Sequence, residues 1–117
     1  MSSDHELLEL AAKAAGIEAQ YSDNCGDFSI GKPYSRGEVR WNPLTFDGDA
    51  LRLAIGLGLD VDVHRQEPTG GVAVVEVRGY VPRRLLVTEP ATDNGETLLA
   101  ATRRAITRAA AEIGRKM

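Results

Sequence analysis

The chain has 117 residues and a formal net charge of −3, with 14 basic and 17 acidic residues. A domain of this length can bury a hydrophobic core without a metal or a disulfide framework, and the net negative charge argues against a dedicated duplex-DNA binder. The single Cys25 excludes an internal disulfide and a multi-cysteine metal site. No apolar run approaches the roughly 18 residues of a transmembrane helix and the N-terminus is polar, so we expect a soluble cytosolic protein without a signal peptide.

The first predicted element is a helix near the N-terminus. Residues 3–6 form a capping-box pattern, and apolar residues then recur at helical spacing over residues 7–15. Gly16 is well placed to end this helix in the left-handed conformation.

Residues 18–41 contain many turn-forming residues and the weakest regular pattern in the chain. Residues 28–30 and 38–41 are predicted to form short strands, paired as a loose hairpin. Cys25 lies in this segment, and the sequence shows no base beside it that would make it a nucleophile.

The segment that follows combines a rigid corner with a helix start. Pro43 fixes its own φ and favours an extended Asn42, so a helix cannot run through this point. Thr45 is predicted to cap the next helix, with Asp47 and Asp49 in its first turn.

This central helix has apolar residues at helical spacing from Ala50 to Leu57, and Gly56 and Gly58 are predicted to mark its end. We interpret Trp41, the only tryptophan, as the anchor of the strand-to-helix corner. Stacking of Trp41 on a ligand is the alternative.

Residues 59–64 alternate strictly between apolar and polar, which predicts a strand, and the β-branched residues 72–77 predict its hairpin partner. The polar face of the first strand would carry Asp60, Asp62 and His64. Such a row can bind a divalent ion, but a half-solvated strand shows the same pattern and no calcium loop or zinc motif accompanies it.

A further strand is predicted at residues 85–87, and a long alanine-rich helix from Asp93 to Arg115. The predicted packing stripe of this helix consists of Leu98, Thr102, Ala105, Ile106, Ala109 and Ile113. Another face carries Arg104, Arg108 and Arg115, for which a solvated surface is the ordinary explanation.

The order of elements predicts an α+β fold in a single domain spanning residues 1–117. About three helices would pack on an antiparallel or mixed sheet. Aliphatic and alanine side chains must fill most of the core, because the chain contains only one Trp, three Tyr and two Phe residues.

Three segments resemble a known family. Residues 6–16 read ELLELAAKAAG, residues 41–54 contain WNPL and DGDALRLA, and residues 102–114 contain TRRAI and RAAAEIG. In this order they are similar to the phage "ABA sandwich" domain family of small, mostly uncharacterised bacteriophage and prophage proteins. The resemblance implies an α/β/α sandwich and a phage origin, and it carries no catalytic residues. Phe46 stands where it leads us to expect a polar or acidic residue.

Catalysis is the less favoured class of function. No Ser-His-Asp, Cys-His or zinc-ligand spacing can be assembled, and no glycine-rich phosphate loop precedes a helix. Carboxylates are the remaining candidates for an enzyme, namely Asp47, Asp49, Asp60 and Asp62. We therefore predict no catalytic residue, no metal site and no cofactor.

Two segments interleave cations with aromatic residues, which suits the phosphates and bases of a nucleotide or a short single strand. The candidate ligand-binding residues are Lys32, Tyr34, Arg36, Arg40 and Trp41 in the first segment and Arg78, Tyr80, Arg83 and Arg84 in the second. Two exposed loops with ordinary charge are the alternative explanation.

We therefore expect a non-enzymatic phage accessory protein, acting in the host cytoplasm as a homo-oligomer. Its concrete form is an anti-defence protein that sequesters a nucleotide-type immune signal, with no membrane or duplex-DNA partner. The first alternative is a protein–protein adaptor that engages a host or phage protein through the arginines of the last helix. The second is a metal-dependent hydrolase using Asp60, Asp62 and His64.

Overall fold

The computed structural model describes residues 3–22, 27–30, 39–65, 72–79, 84–92 and 95–117. Within these ranges there are three helices, α1 (Asp4–Ala15), α2 (Asp47–Leu57) and α3 (Gly95–Arg115). The strands are β1 (Ala19–Ser22), β2 (Asp27–Ile30), β3 (Val39–Arg40), β4 (Asp60–Arg65), β5 (Val72–Arg78) and β6 (Leu85–Thr92). The α+β prediction is confirmed.

The strands form two separate antiparallel sheets. The first sheet has the order β1-β2-β3 and the second sheet has the order β4-β5-β6, so every pairing joins strands that are consecutive in the sequence. Strand β1 was not predicted, because the strands predicted within residues 18–41 begin only at residue 28. The other strands lie close to their predicted positions, and β6 continues through Pro90 to Thr92.

Helices α1 and α3 pack closely because the buried face of α3 consists largely of alanine. Five alanines of α3 are buried, namely Ala101, Ala105, Ala109, Ala110 and Ala111. Gly114 lies at the tightest point, where a Cβ atom would stand 2.1 Å from the carbonyl oxygen of Leu10 in α1. Only the absence of a side chain permits this approach of the two backbones.

Both ends of α1 form as predicted. The Ser3 hydroxyl accepts a hydrogen bond from the backbone N–H of Glu6 at 3.2 Å, which caps the first turn. Gly16 adopts φ 69°, and its N–H bonds back to the last turn of the helix. The ring of His5 lies 4.8 Å from that of Phe28 and 5.7 Å from that of Tyr21, so α1 also contacts the first sheet.

The prediction that Thr45 caps α2 is wrong. The helix begins at Asp47, and Phe46 occupies the cap position without a side-chain hydrogen bond. Arg103 of α3 holds this end of the helix instead, donating to the carbonyl of Leu44 at 2.9 Å and to Asp47 at 2.7 Å. This tertiary contact ties the start of α2 to α3, but a guanidinium only donates hydrogen bonds and so does not cap the free N–H groups of the first turn.

The other end of α2 is set by one of the two predicted glycines. Gly58 adopts φ 65° and ends the helix, whereas Gly56 lies inside it. No helix in the described ranges combines the length and hydropathy that a membrane crossing requires.

The second sheet presents its central strand to the core. Ala73, Val75 and Val77 of β5 alternate inward and are fully buried. In β4, Val61 packs against this core while 44% of Val63 is exposed, so the apolar face predicted for this strand is only partly covered. For α3, the buried face includes Ala105, Ile106 and Ala109 of the predicted stripe.

The crossing of α1 and α3 can be tested by adding one methyl group. We expect Gly114→Ala to lower the free energy of unfolding by about 1 to 3 kcal/mol, because the new Cβ meets backbone rather than a movable side chain. The steric cost should therefore be larger than the stabilisation of about 1 kcal/mol that the higher helix propensity of alanine brings. Urea unfolding measures the change in the free energy of unfolding, and Lys116→Ala, at an exposed residue, is the control. A more stable Gly114→Ala variant would show that the helices do not cross this closely.

Candidate functional site

The corner between the first sheet and α2 is built on Asn42. Its backbone N–H donates to Asp49 at 2.9 Å, its side-chain amide donates to Asp27 at 2.7 Å, and its side-chain oxygen accepts from the N–H of Leu44 at 2.9 Å. Asn42 is only 9% exposed, so each of these bonds satisfies a polar group that would be costly to leave unpaired.

Trp41 lies in the core beside this corner. Its side chain is 4% exposed, and its backbone N–H donates to the carbonyl of Phe28 at 2.9 Å. This placement agrees with the interpretation of Trp41 as an anchor.

A cavity of about 470 Å³ opens beside the corner, between the end of α1, the first sheet and α2. This volume is in the range of small-molecule sites in proteins. Its walls are mostly aliphatic, and the lining residues are Ala14, Ala15, Ile17, Ile30, Val39, Arg40, Trp41, Asp49, Arg52, Leu53, Gly56 and Leu57.

Two arginines supply positive charge at this cavity. The Arg40 guanidinium lies 3.3 Å from Asp27 and 5.3 Å from the ring centre of Phe46, and its side chain is 50% exposed. Arg52 lies 3.2 Å from Asp49, and its side chain is 78% exposed. Since a guanidinium has five N–H donors in a planar fork, each arginine can hold a carboxylate and an incoming anion together.

Both of these arginines are positioned through Asn42. The side-chain amide of Asn42 holds the Asp27 carboxylate that pairs with Arg40, and the backbone N–H of Asn42 holds the Asp49 carboxylate that pairs with Arg52. The asparagine itself does not line the cavity. It acts on the site by fixing the two carboxylates.

The Asp27 carboxyl is kept ionised by its neighbours. Partial burial alone raises the pKa of Asp27, but hydrogen bonds from Asn42, from the backbone N–H of Phe28 and from Arg40, together with the charge of Arg40, lower it below its ordinary value. The carboxylate therefore stays ionised, and paired with Arg40, to a lower pH than an ordinary aspartate would.

The two described residues of the second predicted binding segment lie apart from the cavity. Arg78 pairs with Asp62 at 3.2 Å and with Glu76 at 3.4 Å in the second sheet, and Arg84 precedes β6 on the surface. Neither lines the cavity that Arg40 and Trp41 line. The remaining candidates, Lys32, Tyr34, Arg36, Tyr80 and Arg83, lie outside the described residues, as does Cys25.

Two residues of the polar row of β4 contact side chains of the neighbouring strand. Asp62 pairs with Arg78, and His64 lies 2.7 Å from Glu76 on the neighbouring strand. In the part of the chain that the structure describes, no cluster of three or more His, Cys, Asp or Glu residues is arranged to hold a metal ion.

The arginines proposed for an adaptor surface are likewise paired within the chain. Arg104 lies 3.2 Å from Asp4, Arg115 lies 3.2 Å from Glu112, and Arg108 bonds to Glu89. The contacts of Arg104 and Arg108 connect α3 to α1 and β6, whereas that of Arg115 lies within α3, and each contact occupies part of a guanidinium.

Ten of the twelve lining residues are absent from the predicted ligand-binding residues, Arg52 and Gly56 among them. Arg52 reads only as a polar position of an amphipathic helix, and Gly56 reads only as a helix terminator. The one sequence feature that could have indicated the cavity is Gly56 itself, because a glycine inside an otherwise regular helical pattern is typical of a place where another group approaches the backbone closely.

No family model matches the chain, and no curated protein or solved structure shows significant similarity to it. The functional interpretation therefore rests on the residues of the site.

The carboxylate of Asp27 should make stability depend on pH. Its folded pKa lies below the ordinary value of 3.8, so its contribution is complete above that value and is lost as the pH falls through the folded pKa. We expect Asp27→Asn to cost about 1 to 2 kcal/mol at neutral pH. The difference from the unsubstituted protein, measured by urea unfolding, should shrink below about pH 4. A difference that stays constant down to about pH 2 would contradict this role.

Proposed function

We propose that the protein is a non-enzymatic binding protein that holds a small organic anion in the cavity between α1, the first sheet and α2. The observation that carries the proposal is that two arginines, Arg40 and Arg52, whose side chains are 50% and 78% exposed, are among the residues that line a cavity with mostly aliphatic walls. An anionic group would bind the guanidinium forks while the rest of the molecule contacts the walls.

Nucleotides are the ligand class that we propose. They combine an anionic phosphate with a planar base whose faces make apolar contacts, and this combination suits the division of the cavity into charged and aliphatic parts. In the biological form of the proposal, a phage accessory protein sequesters a nucleotide-type immune signal in the host cytoplasm, as a homo-oligomer. This form is supported by the sequence resemblance described above.

A protein–protein adaptor is the second candidate, and exposed apolar side chains favour it. Leu51 and Ile55 on α2 are 59% and 71% exposed, and Leu99 on α3 is 51% exposed. Leu51 and Leu99 line a shallow apolar groove between the two helices. Such surfaces are typical of protein contacts when they are contiguous.

The ligand can be sought by thermal unfolding against a panel containing the ribonucleoside monophosphates, their 3′,5′-cyclic forms and cyclic di-adenosine monophosphate. A ligand that binds only the folded protein adds about 2.7 kcal/mol of stability at a hundredfold excess over its Kd. We expect at least one nucleotide to raise the melting temperature. Arg40→Ala and Arg52→Ala should each weaken its binding by about tenfold or more.

Two further arginine variants serve as controls. Arg104→Ala removes an arginine that pairs with Asp4 away from the cavity, so binding should be unchanged. Arg84→Ala should also leave binding unchanged, and a loss of binding in that variant would place the ligand at the second segment instead. If the panel has no effect while a stoichiometric protein partner is lost in Leu51→Asp, the adaptor is the better description.

A further inference from the structure

We propose that two copies of the chain associate through the outer edge of β4, so that their second sheets join into one continuous antiparallel sheet. This inference deepens the homo-oligomeric part of the proposed function and rests on that part alone. In the part of the chain that the structure describes, β4 pairs only with β5. The N–H and C=O groups on its other side are therefore directed to where a further strand would lie.

The two edges of the second sheet differ in their protection against further pairing. Natural edge strands are commonly protected by a proline, a bulge or a covering element. Strand β6 contains Pro90, has an irregular register against β5 and lies under α3. Strand β4 contains no proline, pairs with β5 in an unbroken register and has little of α3 over it. Between these two strands, β4 is the one that is open to pairing.

Val63 shows that the apolar face of β4 lacks a cover. It is the partner of Val75 in β5 and lies on the same face of the sheet. Val75 is fully buried, whereas 44% of Val63 is exposed, because α3 packs mainly over β5 and β6. A strand added beside β4 would bring a second side chain against Val63 on this face.

The sequence of β4 is complementary to itself in one antiparallel register. Directly opposed residues of an antiparallel pair lie on the same face, so a two-fold axis at Val63 opposes this residue with its own copy. The same axis opposes Asp62 with His64 of the second copy, and it does so twice. A shift of the axis to Asp62 would oppose two aspartates, which is destabilising, and a shift to His64 would lose both acid–histidine pairs. The pattern of charges thus favours a second copy of this chain as the occupant.

The two side chains of this pair have hydrogen-bonding groups left for each other. Asp62 contacts Arg78 through Oδ2 and has a second carboxylate oxygen, and its side chain is 45% exposed. His64 contacts Glu76 through Nε2, and its protonated ring has a further donor at Nδ1, with 58% of the side chain exposed. Opposed Cβ atoms of an antiparallel pair are about 4.5 to 5.5 Å apart, which is within reach of both side chains.

Sedimentation equilibrium over a wide range of protein concentration measures this association. We expect a monomer–dimer equilibrium for the unsubstituted protein. Val63→Lys should weaken it by about tenfold or more, because a charge on the inward face of an edge strand opposes pairing. Leu51→Asp is the matched control, since it places a charge in the apolar groove between α2 and α3, and it should dimerise normally.

A pair of charge variants tests the register without changing Val63. Asp62→Lys opposes a lysine with His64, and His64→Asp opposes an aspartate with Asp62, so each variant loses the complementary pairs in its own dimer. Each should associate about tenfold or more weakly than the unsubstituted protein. An equimolar mixture of the two variants should regain association, because opposite charges then meet at both positions. Circular dichroism checks that each variant is folded.

The outcomes separate this inference from the anion site. A protein that stays monomeric at every concentration overturns the inference and the homo-oligomeric state, whereas the anion site is tested independently by Arg40→Ala and Arg52→Ala. Dimers that persist unchanged in Val63→Lys, or that are lost in Leu51→Asp, overturn the assignment to β4. A mixture of the two charge variants that regains no association overturns it as well.

Discussion

The close crossing of α1 and α3 is the constraint on which the rest of the structure depends. A side chain at Gly114 would meet the carbonyl of Leu10, and the alanines around it keep the two helices in contact along their length. Helix α3 spans 21 residues, so it is long enough to pack against the second sheet and also to reach α2. Through Arg103 it fixes the start of α2, and with it one wall of the cavity.

Asn42 fixes the charged part of the site. Its bonds to Asp27 and Asp49 place the carboxylates that hold Arg40 and Arg52, although these arginines lie on different elements, β3 and α2. A buried asparagine with these hydrogen bonds has few alternative conformations, so the positions of the two carboxylates are set before any ligand arrives.

Local patterns predicted the elements whose causes are local. The cap at Ser3, the left-handed Gly16 and the alternating strand at Asp60–Arg65 each depend on residues within a few positions, and each is present. Thr45 does not cap α2, because Phe46 holds the cap position and the helix begins at Asp47, which Arg103 of α3, distant in sequence, contacts. The cavity could not be predicted from local patterns, since Arg40 and Arg52 lie on different elements and are related only through the two aspartates that Asn42 holds. Arg40 and Trp41 were among the candidates because of their residue types. Arg52 was not among them, since nothing in the sequence distinguishes an arginine on a helix surface from an ordinary solvated residue.

The carboxylates that hold Arg40 and Arg52 also determine how an anion would gain affinity in the proposed site. Each guanidinium already shares its charge with one aspartate, so these two pairs are nearly neutral before a ligand enters. Long-range attraction of an anion to these two arginine–aspartate pairs is therefore weak. Ionic strength should then have little influence, through these pairs, on the rate at which the anion encounters the site. Most of the binding energy must come from the aliphatic walls, while the arginine forks decide the orientation of the bound molecule. A site of this kind discriminates by shape first and by charge second.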